Sequence, residues 1–72
     1  MDILQMLYDS EINFELACFW DAGFLWKLGD RMNGFPTEGR AKTLAEAVEQ
    51  LKYAALFHFP ESDFAARIRA SA

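Results

Sequence analysis

Along the chain the alternation of apolar and polar residues changes period several times, and each change marks an element. From Ile12 to Trp20 the even positions are Ile12, Phe14, Leu16, Cys18 and Trp20, with Asn13 and Glu15 between them. A period of two sustained this far predicts a β-strand. Asp21-Ala22-Gly23 then offers a three-residue connection with a glycine for its left-handed position, after which Phe24, Trp26 and Leu28 resume the alternation. Two such runs around a glycine-containing loop predict an antiparallel hairpin. The run Gly29 to Gly34, closing on Asn33-Gly34, predicts a second reversal. From Phe35 to Lys42, Glu38, Arg40 and Lys42 share one parity and Phe35, Thr37, Gly39 and Ala41 the other. Pro36 cannot donate to a central ladder, so this third strand is expected at a sheet edge.

The period then lengthens. Thr43-Leu44-Ala45-Glu46 is a capping box, in which the Thr43 hydroxyl accepts from the Glu46 amide and the Glu46 carboxylate reaches back to the Thr43 amide. Leu44, Ala47, Val48, Leu51, Ala54, Ala55 and His58 follow at helical spacing, with Glu46, Glu49, Gln50 and Tyr53 on the other side. Pro60 ends this helix near Phe57 or His58. Residues 1–10 carry Ile3, Leu4, Met6, Leu7 and Tyr8 behind Asp2, one or two helical turns in an N-terminal arm that gains order by packing. Ser62 caps a short helix over 62–70 with Phe64 and Ile68 as its apolar contacts, and residues 70–72 are expected to fray. The predicted fold is one α+β domain over 1–72: a three-stranded antiparallel sheet over 12–42, made of a β-hairpin and an edge strand, packed against one amphipathic helix over 43–59, with short terminal helices. The helix stripe is expected to cover Phe14, Leu16, Cys18, Trp26 and Leu28, leaving Ala17, Phe19 and Leu25 facing the other way.

Composition narrows how such a domain holds together. The chain has 72 residues, 53% of them hydrophobic, with one cysteine and one histidine. An internal disulfide is excluded, and Cys18 with His58 falls short of the four ligands of a structural zinc. Stability is therefore expected from an aromatic-rich core or from a core shared with a second copy. The net charge of −4 disfavours nucleic-acid binding; only Arg40/Lys42 and Arg67/Arg69 come close to a basic cluster, and Arg40 and Lys42 with neighbouring aromatics are the weak candidates for it. Met1-Asp2-Ile3-Leu4-Gln5 lacks a basic leader, and no run approaches the ~20 apolar residues of a membrane span. With an unpaired cysteine, these features predict a cytoplasmic protein.

No recognisable catalytic, cofactor or metal set emerges. The glycines form neither GxGxxG nor GxxxxGK[ST], so nucleotide binding through those loops is excluded. Cys18, amid apolar residues in mid-strand, is expected to be buried and inert. His58 in the last helical turn suits the helix dipole. Asp21 and Asp30, at strand ends, could approach Glu11 or Glu38 as paired carboxylates, although turn-forming Asp explains both positions. Phe19, Trp20, Leu25 and Trp26 carry more information. Trp20 and Trp26 flank the hairpin turn and are expected near one another across the strands, and these four residues form a candidate interface. The uncovered sheet face implies either coverage by the termini or self-association. The reading is a small, non-catalytic protein-interaction domain, homodimeric, with a possible protein partner and no cofactor. The alternative is a small enzyme or ligand-binding protein with Asp21, Asp30 and His58 in a polar site between subunits.

The stretch Gly34-Phe35-Pro36-Thr37-Glu38-Gly39 followed by Thr43-Leu44-Ala45-Glu46-Ala47-Val48 resembles the compact domain of HicB-type antitoxins. There a hairpin and third strand lead through a Gly-x-x-x-x-Gly turn and a T-L-x-E-A start into one helix. The likeness spans about residues 12–58 and implies a β-β-β-α unit that dimerises and presents a surface to a partner protein. Arg40-Ala41-Lys42 separates Gly39 from the cap and no DNA-binding segment follows the helix, so transcriptional autoregulation is not implied.

Overall fold

The computed structural model describes residues 2–30 and 34–71, and its elements are those of a small α+β unit. They are α1 (Ile3–Asp9), β1 (Phe14–Phe19), β2 (Gly23–Asp30), β3 (Gly34–Ala41), α2 (Leu44–His58) and α3 (Asp63–Ser71). The sheet is antiparallel in the order β1-β2-β3, so β2 is central and β1 and β3 are edges. The reversal expected around Asn33 falls at residues 31–33, outside the described residues, as does the end of the expected fraying at Ala72.

The hairpin pairs Phe14 with Leu28 through Phe19 with Gly23. Its connection sits one residue earlier than expected: Trp20, Asp21 and Ala22 form it, and Gly23 is the first residue of β2. The Ala22 N–H donates to the Phe19 carbonyl at 2.9 Å, closing the turn. Gly23 then takes φ +97°, and a Cβ there would lie 2.6 Å from the Ala41 carbonyl oxygen. Dihedral and close approach both demand glycine at this position. On the other side of β2, Leu28 faces Thr37 but Asp30 faces Gly34, a register slip that kinks the start of β3.

Helix α2 lies across β2 and β3 and presents a face of small residues, with Ala47, Leu51 and Ala55 fully buried. A thin helix face leaves room for one large side chain, and Trp26 fills it. Trp26 is 6% exposed, and its Nε1–H donates to Gln50 Oε1 at 2.7 Å. Gln50, assigned to the outer side by periodicity, thus reaches inward. Leu44 and His58, assigned to the buried stripe, are exposed because they lie in the first and last turns of α2. The cap forms as expected at Thr43, whose Oγ1 accepts from the Glu46 N–H at 3.1 Å. The Glu46 carboxylate, however, accepts from the Lys42 N–H at 3.3 Å, one residue beyond the predicted partner.

The N-terminal arm is a helix bounded at both ends. The Asp2 carboxylate accepts from the Gln5 N–H at 3.1 Å. At the far end Ile12 N–H donates to Leu7 C=O at 3.0 Å and Glu11 N–H to Tyr8 C=O at 3.1 Å, while Glu11 takes φ +60°. This is a Schellman ending with glutamate where glycine is usual, sealed by buried Leu7 and Ile12. Ser62 Oγ accepts from the Ala65 N–H at 3.1 Å and caps α3, as predicted. Arg69 donates to the Pro60 carbonyl, and Phe64 is fully buried.

Met6, Leu7, Ile12, Trp26, Leu28, Leu51 and Phe64 belong to one core cluster on the helical side of the sheet. Helices α1 and α3 pack on α2 and on each other. The terminal segments therefore join α2 on one face and do not cover the opposite one. The lateral position of α2 also corrects the expectation for Cys18. Because the helix sits over β2 and β3, β1 lies at the margin, Phe14 and Leu16 are half-buried, and Cys18 is exposed.

Candidate interaction surface

The helix-free face of the sheet is built from rows fixed by the register. Glu15, Lys27 and Glu38 form one row, Ala17, Leu25 and Arg40 the next, and Phe19 stands beside Gly23 at the hairpin end. Lys27 Nζ is 4.0 Å from Glu38 Oε2 and 5.2 Å from the centre of the Phe35 ring. Opposite charges thus occupy one end, where exposed ion pairs contribute little to stability. Apolar groups occupy the other: Ala17 is exposed, Leu25 half-buried, Phe19 50% exposed, and Trp20, on the turn, 92% exposed. Gly23 lies against Ala41 and Lys42, so the half-exposed Leu44, two residues further, stands at this same end.

Of the four residues expected at an interface, Phe19, Trp20 and Leu25 lie on this side or at its rim. Trp26 does not. It faces Leu16 and Gly39 beneath α2, and it is not a cross-strand neighbour of Trp20, which precedes β2 in the turn. Exposed aromatics that the strand pattern did not single out are Phe57, 79% exposed, and Tyr8, 75% exposed. Phe57 follows Tyr53, itself 61% exposed, by one helical turn, and that spacing on the side already holding Glu49 was the available signal.

The polar alternative is not assembled within the chain. Asp21 lies in the β1–β2 turn and Asp30 ends β2, so the eight-residue strand, roughly 25 Å long at ~3.3 Å per residue, separates them. His58 closes α2 at the end remote from Asp21 and is exposed, its ring edge-on to Phe57 at 5.0 Å between centroids. Among the described residues no group of three or more His, Cys, Asp or Glu could hold a metal ion. An open groove of about 640 Å³ runs between the α1–β1 junction and the start of β3, lined by Ser10, Glu11, Phe35, Pro36, Phe59 and Ser62 among others. Among its described lining residues Glu11 is the one carboxylate. No helix among the described residues is long and apolar enough to cross a membrane. No protein-family model, curated protein or solved structure matches the chain.

Proposed function

We propose that this chain is a small, non-catalytic protein-interaction domain that acts as a homodimer through the apolar hairpin end of its sheet, which its own helices leave uncovered. One observation carries the reading: α2 packs on one face of the sheet and α1 and α3 pack on α2, so Ala17 and Phe19 on the other face and Trp20 in the turn are exposed. Exposed aromatic surface is worth ~25 cal/mol per Å² once removed from water, and Trp is enriched where partners dock. A domain of 72 residues without an internal disulfide gains from sharing that surface. A cytoplasmic setting fits the single unpaired Cys18. Sedimentation velocity from low to high micromolar concentration tests the reading. The expected result is a dimer of twice the 8.2 kDa chain mass that dissociates when Phe19→Ser and Trp20→Ser are combined. A monomer at every concentration overturns it.

The order β1-β2-β3-α2 favours a second reading, a HicB-like partner-binding protein. Affinity capture from the native host would then yield one protein partner in fixed stoichiometry at several salt concentrations; recovery of none counts against it.

A further inference from the structure

Resting on that reading of self-association, we propose that the dimer seam is the free edge of β1, paired antiparallel with β1 of a second copy about a two-fold axis at Ala17. The result is a continuous six-stranded sheet. The two edges of the sheet differ in chemistry. β3 carries Pro36, Glu38, Arg40 and a register slip, the devices that discourage strand addition. β1 reads Phe-Glu-Leu-Ala-Cys-Phe, with one charge and no proline. It has β2 on one side only, so its outward N–H and C=O groups form an unprotected template for another strand.

With one unprotected edge per chain, a second copy satisfies both edges at once, and charge pattern then selects the register. A two-fold perpendicular to the sheet keeps the helices of both copies on one side, so only residues of equal parity can stand opposite one another. Centring on Glu15 sets that carboxylate against itself, and centring on Cys18 sets it against the partner's Asp21; like charges directly opposite are destabilising. Centring on Leu16 leaves Phe19 and Trp20 beyond the partner's strand, which begins at Phe14. Centring on Ala17 places Leu16 opposite the partner's Cys18, Glu15 opposite the partner's Phe19, and Phe14 opposite the partner's Trp20. Phe19 and Trp20 each gain a neighbour across the seam, and Glu15 stays beside its own Lys27. With aromatic side chains burying 150–250 Å² each, Phe19 at 50% and Trp20 at 92% exposure offer on the order of 300 Å². That is over a third of the ~800 Å² per partner of a stable interface, and Leu16, Ala17, Cys18 and the strand backbone add to it.

Cysteine scanning tests the register. In a Cys18→Ser background, Ala17→Cys and Glu15→Cys are oxidised with copper–phenanthroline at concentrations where the unmodified chain sediments as a dimer. Directly opposite residues have Cβ atoms ~5 Å apart, so the Ala17→Cys protein should form a disulfide dimer rapidly and nearly completely. The two Glu15→Cys thiols would be four residues out of register, ~14 Å apart, and should remain free. Equal cross-linking at both positions, or none at Ala17→Cys in a protein that still dimerises, overturns the seam while leaving self-association intact. A chain that is monomeric throughout overturns both. Ala17→Lys, at an exposed position that leaves the core untouched, should keep the circular dichroism spectrum and sediment as a monomer; a persistent dimer contradicts the proposal.

Discussion

Gly39→Ala should destabilise this domain because of one close approach. Gly39 faces Trp26 across β2 and β3, and a Cβ there would lie 2.6 Å from Cζ2, 2.7 Å from Cε2 and 2.8 Å from Nε1 of the indole. Ordinary carbon contacts need ~3.5 Å, so ring or strand must move most of an ångström. The indole has little freedom to do so, being 6% exposed under α2 and tied to Gln50 by a 2.7 Å hydrogen bond. Overpacking of this kind costs ~1–3 kcal/mol. Removing glycine's freedom in the unfolded chain returns ~0.4–1 kcal/mol, so the central values leave a net loss of about 1.3 kcal/mol. For a domain of this size each kcal/mol lowers Tm by ~4–8 °C, so the melting point should fall by about 5–10 °C in a calorimetric scan at fixed protein concentration. The Trp26→Leu background isolates the cause, since leucine ends at Cδ and has no atoms where the indole Nε1, Cε2 and Cζ2 stand. There, Gly39→Ala should cost little or become favourable. An unchanged Tm for the single variant, or an equal loss in both backgrounds, would refute the steric argument.

Glu11→Gly should raise the urea midpoint, corresponding to a gain of about 0.5–1 kcal/mol, because φ +60° strains an L-residue and suits glycine; a lowered midpoint would mean that the glutamate side chain itself holds the turn. Gln50→Leu should cost ~1–3 kcal/mol in the same assay, since it leaves the Trp26 N–H without its partner, and a neutral result would show that water replaces it. Lys52 should titrate above its usual 10.5, first because its ammonium donates to Glu49 Oε1 at 3.0 Å. A raised folded pKa means that the pair favours the folded state fully below 10.5 and loses that contribution as the pH rises through the folded value. Side-chain NMR titration should show the shift, and Glu49→Gln should abolish most of it; an unshifted Lys52 contradicts the contact.

The parts of the fold legible in the sequence are those set by local periodicity and capping chemistry. The alternation from Ile12 to Leu28 specified a hairpin and which residues share a face, though not its register, and Thr43 and Ser62 marked the starts of α2 and α3. What periodicity does not contain is where a helix lies across a sheet. With α2 over β2 and β3, Cys18 on β1 emerged at the margin, and Gln50 was drawn in by the indole of Trp26. Trp26 and Trp20 look equivalent on either side of a turn, yet the one-residue shift of the hairpin connection leaves Trp20 in the turn and Trp26 in the core. The end of α1 was hidden because its left-handed residue is Glu11, and nothing in a glutamate signals a Schellman ending. For the surface, parity correctly separated Ala17, Phe19 and Leu25 from the core face; which edge of the sheet is unprotected followed only once β1 and β3 were both known to be edges.

Hydrogen–deuterium exchange across a concentration series, resolved to single amides, reads the state of that edge. If β1 is the seam, its outward amides between Glu15 and Phe19 should become as slow as those of central β2 as concentration rises, while the outward amides of β3 stay fast. Equally fast exchange at both edges, independent of concentration, would show that β1 meets water and not a second strand.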